Sequence, residues 1–269
     1  MQRNITRYES LHEIAEAGRA GEGASKATGR NDWYGTADYE EAVELAANGW
    51  WYGGNELEAA IRRIKPQVDK AVEVLARLVY MPTPNRPGVL DVGRYAAGHP
   101  YCMVSPVLSG SVPIVRVMVP CLWSASVPTK DIMEAGAVVS AVAEVLTAAG
   151  YAVEVAAVAG WDRRNGDAEV VEVILKQSTQ RVDVEDLAFG IAHPSMSRRF
   201  IFAAGELNPH AQEINCRTGG GYGGYSHWSG TAPSLIKGLG DVDLTTMATF
   251  ASGSYIDKAL AALAAWQSK

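Results

Sequence analysis

An apolar run at residues 113–123, followed at once by a helical pattern, is the feature that most constrains how this chain can fold. The run, PIVRVMVPCLW, is rich in β-branched residues, and residues 130–150 repeat small apolar side chains over about five helical turns. A second apolar run follows at 151–160, and a third with more alternation at 168–178. The sequence therefore predicts strands separated by a helix, with the third strand at a sheet edge.

The rest of the carboxyl-terminal part keeps this rhythm. The pattern predicts a helix at 182–194, a fourth strand at 198–206, a weak fifth strand at 241–249 and a terminal helix at 254–267. Strands that alternate with helices form a parallel-rich sheet flanked by helices, so the predicted fold class is α/β. In such sheets the functional loops lie at the carboxyl ends of the strands.

Three regions follow from the distribution of helix breakers. The composition of residues 1–32 predicts a partly flexible N-terminal arm, because the second half of this segment is rich in glycine, serine and charged residues. Residues 33–88 predict a helical region, and the PTPNRPG stretch at its end interrupts the regular pattern. The α/β domain then covers residues 89–269. Tryptophans at both ends of the first helix in the helical region predict a small aromatic core that fastens the region to this domain.

Composition narrows the classes of function. The 269 residues carry 24 Lys and Arg against 30 Asp and Glu, and a net charge of −6 gives no general attraction to nucleic acid or anionic lipid. Cys102, Cys121 and Cys216 form no Cys-x-x-Cys pair, which favours a reducing compartment. Because neither a signal sequence nor a long apolar window is evident, we expect a cytoplasmic location and no membrane partner.

Polar residues follow the first and third predicted strands. Ser124 and Ser126 stand directly before the long helix, and Thr179 stands before the next helix. With the order of elements, these residues resemble the von Willebrand factor A-like fold over roughly residues 112–269. The resemblance implies a metal site built from Asp-x-Ser-x-Ser after the first strand, a later Thr, and an Asp after the fourth strand.

Two departures from that family pattern bear on the metal. Leu122 and Ala204 stand where the two carboxylates would be. Mg²⁺ takes oxygen ligands, and carboxylate charge offsets the cost of its dehydration, so hydroxyl groups alone should not hold it. We therefore expect no metal and no cofactor. Ser124 and Ser126 would then either face a partner or simply cap the following helix.

The chain also resembles a family of phage and prophage proteins. The resemblance lies in YGTADYEEAVELAANGW, DVGRYAAGHPYCM and GGGYG. It implies that the protein originates from a mobile element, and hence a location in the host cytoplasm. No activity follows from it.

Residues 216–230, CRTGGGYGGYSHWSG, have the most unusual local composition. Glycines separate Tyr222, Tyr225 and Trp228, and Arg217 adds a cation. Such a loop could grip a protein partner or stack on bases, and it could equally be a surface loop that packs its own aromatic rings. The phosphate-loop pattern is absent.

A catalytic alternative rests on four residues in or near the same region: Glu206, His210, Cys216 and His227. They could supply a general acid or base, or a Cys/His nucleophile pair. However, Asn208-Pro209 interrupts the helix that would align Glu206 with His210, so an exposed loop is the competing interpretation.

Together these observations predict a non-enzymatic protein-interaction module that binds its partner through the carboxyl-end loops of the sheet. Trp123, Ser124 and Ser126 would form the centre of the partner surface. The remaining predicted contacts are Thr179, Arg217, Tyr222, Tyr225 and Trp228. One alternative is a nucleic-acid-processing enzyme or nucleic-acid-binding factor that uses residues 206–228, and another is a virion structural protein.

Overall fold

The computed structural model of this chain has a five-stranded sheet at its centre with helices packed against it. It describes residues 2–29, 31–50, 53, 58–59, 61–63, 65–66, 68, 80–83, 89–90, 92–98, 103–106, 113–123, 129–163, 167–180, 184–214, 239–245 and 254–267. The strands in these ranges are β1 (Arg3–Tyr8), β2 (Tyr80–Thr83), β3 (Val89–Leu90), β4 (Met103–Pro106), β5 (Ile114–Pro120), β6 (Ala152–Asp162), β7 (Ala168–Lys176) and β8 (Val242–Asp243).

The described residues also contain eight α-helices, and two short 3₁₀ segments lie at Gly18–Ala20 and Ala24–Lys26. The α-helices are α1 (Leu11–Ala17), α2 (Asn31–Tyr34), α3 (Tyr39–Asn48), α4 (Val92–Ala96), α5 (Thr129–Ala148), α6 (Val184–Ala192), α7 (Phe202–Leu207) and α8 (Tyr255–Gln267). A π-helical turn, Met196–Ile201, runs directly into α7. Within the described ranges, no helix combines the length and apolar character needed to cross a bilayer.

The central sheet has the strand order β1-β7-β6-β5-β8. Strand pairs β1–β7, β6–β5 and β5–β8 are parallel, and β6–β7 form an antiparallel hairpin. This mostly parallel sheet with flanking helices confirms the predicted α/β class, and the arrangement is consistent with Rossmann-like and von Willebrand A-like orders.

Packing between α6 and β7 shows why small residues are needed in this core. A Cβ atom on Gly190 of α6 would lie 2.4 Å from the Cδ2 atom of Leu175 on β7. The absence of a side chain at Gly190 lets the helix backbone approach the sheet closely. All nine residues of β7 are buried, so this strand lies in the interior of the fold.

The position of β7 corrects the prediction that residues 168–178 form an edge strand. β1 lies alongside β7 in parallel register, from Arg3 beside Ala168 to Tyr8 beside Val173. The alternation in the sequence comes from Glu169 and Glu172, which are buried with polar partners rather than exposed. Sequence patterning could not detect this, because the covering strand lies more than 160 residues away in the chain.

The predicted fourth strand at 198–206 is wrong, because this segment is the π-helical turn followed by α7. Every residue from Arg199 to Glu206 is buried. An apolar run buried on all sides lacks the periodicity that separates a strand from a helix. Of the predicted fifth strand at 241–249, the described residues 241–245 contain the two-residue strand β8, and residues 246–249 lie outside the described residues.

The three-region division also needs correction. Residues 3–8 belong to the central sheet, so the first 32 residues are not a separate arm. β2 pairs with β4 across the Pro-rich stretch at 82–88, within a small sheet of order β2-β4-β3. Strand pairing therefore crosses both of the boundaries that the sequence predicted.

The aromatic core predicted around the first helix of the helical region is present where it is described. The Trp33 ring centroid lies 6.0 Å from that of Phe202, and Trp50 makes an edge contact with His193 at 4.6 Å. These contacts fasten residues 31–50 to the segment around α6 and α7. Trp51 and Tyr52 lie outside the described residues.

Candidate functional site

The carboxyl ends of β5 and β6 lie at the end of the sheet where the sequence predicted a partner surface. After β5 the chain continues through Cys121, Leu122 and Trp123, all of which are buried, and Trp123 is only 8% exposed. Burial raises the pKa of the Cys121 thiol. Trp123 therefore belongs to the core and is not the centre of a partner surface, while Ser124 and Ser126 lie outside the described residues.

Thr179 and Trp123 lie at opposite ends of the strands of the central sheet. β7 runs antiparallel to β6, so Lys176 at its carboxyl end pairs with Val155 near the start of β6, whereas Pro120 at the end of β5 pairs with Val158. Thr179 is exposed in the turn that follows β7. The expected grouping of Thr179 with Ser124 and Ser126 assumed a parallel third strand, whereas β7 runs antiparallel to β6 and places Thr179 away from the carboxyl end of β5.

Ala204 does not occupy a strand end either. It is buried within α7, because the segment predicted as the fourth strand is helical. Over the ranges that the structure describes, no three or more His, Cys, Asp or Glu side chains are grouped to hold a metal ion.

Glu206 binds the N-terminal segment at Gly23 and Ser25, and we call this contact the buried clasp. Its carboxylate accepts hydrogen bonds from the backbone N–H groups of Gly23 and Ser25, both at 2.9 Å, and from the Ser25 hydroxyl at 2.7 Å. A carboxylate surrounded by donors in this way holds the segment against α7. These contacts give Glu206 a structural role, which differs from the general acid or base of the catalytic alternative.

Arg199, on the π-helical turn, fastens the same segment from one side. Its guanidinium is fully buried and donates to Thr36 Oγ1 at 2.7 Å, to Thr36 O at 2.8 Å, and to the carbonyl oxygens of Ser25 and Ala27 at 2.9 and 3.1 Å. The guanidinium carbon also lies 4.5 Å from the centroid of the Tyr34 ring. Burial lowers the pKa of Arg199, and the fan of acceptors keeps the charged side chain hydrogen-bonded.

A second polar cluster lies at the turn of the β6–β7 hairpin, and it contains His210. Glu213 lies on one side of the His210 ring, with its Oε1 atom 3.3 Å from Nδ1, and Glu169 lies on the other, with its Oε1 atom 4.0 Å from Nε2. Arg163 forms a two-pronged pair with Glu213, at 3.0 Å from Nε and 3.3 Å from Nη2. We call these four residues the His210 cluster.

Burial and hydrogen bonding set the character of this cluster. Glu169 is almost completely buried, and its two oxygens accept from the amide groups of Asn4 at 2.9 Å and Asn208 at 3.1 Å. The hydrogen bond from Arg163 holds the pKa of Glu213 below its ordinary value. His210 is about one-third exposed, so its ring connects a buried carboxylate to solvent. Such a ring could relay a proton between a bound ligand and either carboxylate.

Sequence reasoning identified His210 but missed Arg163 and Glu169 as its neighbours. Arg163 stands in a charged loop, and Glu169 stands inside an apolar strand. A carboxylate in the middle of a buried strand is itself a signal, because such a group needs partners. The other residues predicted for the site lie outside the described residues: Cys216, Arg217, Tyr222, Tyr225, His227 and Trp228.

Helix α4 is the most exposed apolar segment in the described ranges. Val92 is 68% exposed and Tyr95 is 64% exposed, and Ala96 and Ala97 are exposed as well. Residues three apart lie on one face of a helix, so Val92 and Tyr95 form a single apolar surface. Gly98, with a φ of 70°, ends the helix by donating its N–H to the carbonyl of Tyr95 at 3.0 Å.

Comparison with known proteins gives one match. No curated protein and no solved structure matches the chain. A family described as a domain of unknown function, DUF7192, matches residues 2–243. The match begins just before β1 and ends with β8, so it includes the whole central sheet, the buried clasp and the His210 cluster. The chain therefore belongs to the DUF7192 family.

Proposed function

We propose that this protein is a non-enzymatic protein-interaction module and that helix α4 forms part of its partner surface. The observation that carries the proposal is the exposure of Val92 and Tyr95 on one face of α4. Exposed apolar surfaces of this kind commonly mark sites of protein association. The origin in a phage or other mobile element is part of the same proposal and rests on the sequence resemblance.

Helix stability supports this reading of α4. The helix has five residues, and a helix of that length gains little from its own hydrogen bonds. Helices in proteins are stabilised chiefly by burying an apolar face, yet the Val92 and Tyr95 face is exposed. A partner that covers this face would supply the missing stabilisation.

The chemistry of the two side chains indicates the kind of partner. An apolar groove would accommodate Val92 and the Tyr95 ring, and an acceptor at its rim would bind the tyrosyl hydroxyl. This moves the centre of the proposed surface away from Trp123, which is buried. Contacts from Ser124, Ser126 and the Gly/Tyr loop at 216–230 remain predictions.

Site-specific photo-crosslinking in host extract would test the proposal. A photoreactive phenylalanine in place of Tyr95 should give one discrete crosslinked protein, while the same group in place of Leu207, a 41% exposed residue of α7, should not. Excess wild-type protein should suppress the product. A Val92→Asp/Tyr95→Ser variant should not suppress it, although its circular dichroism should match the wild type because both side chains are exposed.

Two results would contradict the interaction proposal. The first is equal crosslinking from positions 95 and 207, which would indicate nonspecific capture. The second is suppression of the product by the Val92→Asp/Tyr95→Ser variant as effectively as by wild type.

The placement of His210 between Glu213 and Glu169 supports a second candidate, a nucleic-acid-processing enzyme or nucleic-acid-binding factor. A histidine held by carboxylates is a common general base in hydrolysis. Purified protein would be assayed for binding and cleavage of single-stranded and duplex DNA and RNA. If this candidate is right, His210→Gln should abolish cleavage while His12→Gln, an exposed histidine on α1, should not. Absence of both binding and cleavage in the wild type would exclude it.

A further inference from the structure

We propose that the Asn48-Gly49 dipeptide is a site of spontaneous modification, at which Asn48 converts to isoaspartate and aspartate through a cyclic imide. Asn48 is the last residue of α3 and is exposed, and Gly49 follows it as the C-cap. The reaction uses the asparagine side chain, the next backbone nitrogen and water. The site is separate from α4 and from the His210 cluster, so the inference does not depend on the proposed function.

The conversion consists of ring closure followed by hydrolysis. In ring closure, the Gly49 nitrogen forms a bond to Cγ of Asn48, and the side-chain nitrogen leaves as ammonia together with the proton of the Gly49 amide. In hydrolysis, water adds to one carbonyl of the imide and the C–N bond at that carbonyl breaks. Opening at Cγ gives aspartate. Opening at the backbone carbonyl gives isoaspartate, in which the main chain continues through the former side chain.

The end of α3 leaves the attacking nitrogen available. Gly49 lies outside the helix, with a φ of 81° and a ψ of 152°, and no described residue accepts a hydrogen bond from its N–H. By contrast, Ala149, in the same position after α5, donates its N–H to the carbonyl of Val145 at 2.9 Å. Glycine also has no Cβ atom and adopts many backbone conformations, so it can approach the asparagine side chain without steric hindrance.

Two other asparagines in the described ranges lack this combination of features. The amide of Asn4 donates to Glu169 at 2.9 Å, which holds the side chain away from its own backbone. Asn208 also donates to Glu169, and the next residue is Pro209, which has no N–H to lose. The exposed amide of Asn48, by contrast, makes no hydrogen bond to a described residue. Asn48 is therefore the one of these three that is free to react.

Modification of Asn48 would act on the contact that fastens α3 to the rest of the fold. Trp50 follows two residues later, and its ring centroid lies 4.6 Å from that of His193. Isoaspartate adds a methylene group to the backbone between α3 and Trp50. It also places a carboxylate beside the last carbonyl groups of the helix, where negative charge is unfavourable. The modification should therefore displace Trp50 and loosen residues 39–50.

The first test follows the modification itself. The full chain with Asn165→Gln, which removes the other Asn-Gly pair of the sequence, would be incubated from neutral to mildly alkaline pH. Peptide mass spectrometry would locate the loss of ammonia and gain of water, and an isoaspartate-specific methyltransferase would label isoaspartate. Modification of Asn48 should accelerate as the pH rises, because the attacking nitrogen must lose its proton. Asn4 should react at least about tenfold more slowly, since its hydrogen bond must first break. Asn208 should not react by this route.

The second test follows the structural consequence. Amide hydrogen exchange across residues 39–50 should be faster in the incubated protein than in fresh protein, while exchange in β6 should stay the same. Asn48→Gln is the matched control, because glutamine would have to close a larger and much less favourable ring. The substituted side chain is exposed, so the variant should fold like the wild type. Its exchange across residues 39–50 should not change over the same incubation.

Three outcomes would overturn the inference. Modification of Asn48 no faster than that of Asn4, or at a rate that does not rise with pH, would show that Asn48-Gly49 is not a reactive site. Incubated protein that carries isoaspartate at position 48 but exchanges across residues 39–50 as slowly as Asn48→Gln would show that the modification leaves the Trp50 contact intact.

Discussion

The Glu206 carboxylate accepts a 2.7 Å hydrogen bond from the Ser25 hydroxyl, although 181 residues separate the two in the chain. Two backbone N–H groups of the same segment, from Gly23 and Ser25, complete the clasp. The contact closes the N-terminal segment over α7. It explains how a stretch rich in glycine and charge becomes part of the folded core.

Replacing Glu206 should therefore destabilise the whole protein. Glu206→Ala leaves three donors without this acceptor, the two on Ser25 buried and the Gly23 N–H partly buried, and should lower the free energy of unfolding by about 2–4 kcal/mol, while Ser25→Ala should cost about 1 kcal/mol. Urea denaturation would measure both. Glu22→Ala, an exposed glutamate of the same segment, is the control and should change little. A Glu206→Ala variant as stable as the control would show that the clasp contributes nothing.

Arg199 should not tolerate lysine. An ammonium group cannot reach the four acceptors that the guanidinium contacts, so we expect Arg199→Lys to lower the free energy of unfolding by about 3 kcal/mol. Amide hydrogen exchange across residues 24–36 should accelerate more than exchange in β6. Arg198→Lys is the matched control, because among the described residues Arg198 donates to one acceptor, the Trp33 carbonyl. Equal losses from the two variants would contradict the prediction.

Lowering the pH should reduce the free energy of unfolding through protonation of His193. Burial lowers the pKa of His193 from 6.5 to about 4, since the ring is stacked on Phe189 at 4.9 Å and contacts Trp50. The unfolded chain takes up this proton first, so the stabilisation is present above pH 6.5 and is lost as the pH falls toward 4. The total loss from this group should be up to ~3 kcal/mol.

His193→Asn should remove that acid dependence. The asparagine oxygen can replace Nδ1 as the acceptor for Ser195 N–H, which lies at 3.2 Å, and it does not titrate in this range. Unfolding free energies measured from pH 7 to pH 4 should then fall less steeply than in the wild type. His12→Asn, at an exposed histidine, should leave the slope unchanged. An unaltered slope in His193→Asn would assign the acid sensitivity to other groups.

Arg116 should be essential for keeping two carboxylates on one face of the sheet. It contacts Glu172 and lies 2.7 Å from Glu154, and burial is the main cause that raises the pKa of Glu172. Arg116→Met removes the nearer of two arginines that interact with these carboxylates, since Arg7 remains 3.8 Å from Glu154, and should cost about 3 kcal/mol at neutral pH. Because a raised folded pKa favours the protonated form, the deficit should shrink as the pH falls toward 4.5.

A second substitution checks the cause of that loss. Glu172→Gln in the Arg116→Met background should recover part of the stability at pH 7, since it removes the buried charge. Arg62→Met, whose side chain is 76% exposed and pairs with Glu58, should be close to neutral. A pH-independent deficit in Arg116→Met would show that packing, rather than charge, accounts for the loss.

Local patterning predicted the interior of the fold well. The runs that contain β5, β6 and β7 and the long helix α5 were all identified, because burial on both faces requires continuous apolar or small residues over lengths typical of each element. The aromatic packing around α3 was also predicted. His210 was recognised as a residue with possible chemistry, and the structure places it beside Glu213.

Long-range pairing was not predictable from local signals. Nothing in residues 3–8 indicates that they lie against β7, and the buried position of Glu206 depends on donors that come from residues 23 and 25. Because β7 runs antiparallel to β6, Thr179 and Trp123 lie at opposite ends of the strands. The sequence had predicted both residues in one site. The sequence did not reveal that residues 198–206 are helical, because a segment buried on all sides lacks the periodic alternation of apolar and polar residues that distinguishes a helix from a strand.

The sequence by itself thus determined the α/β class, the buried strands and the long helix, because side-chain periodicity reports local burial. Only the tertiary structure decided the strand order, the direction of β7 and the partners of Glu169, Arg199 and Glu206. These features depend on contacts between segments that are distant in the chain, and a buried charge is stable only where such contacts supply its hydrogen bonds.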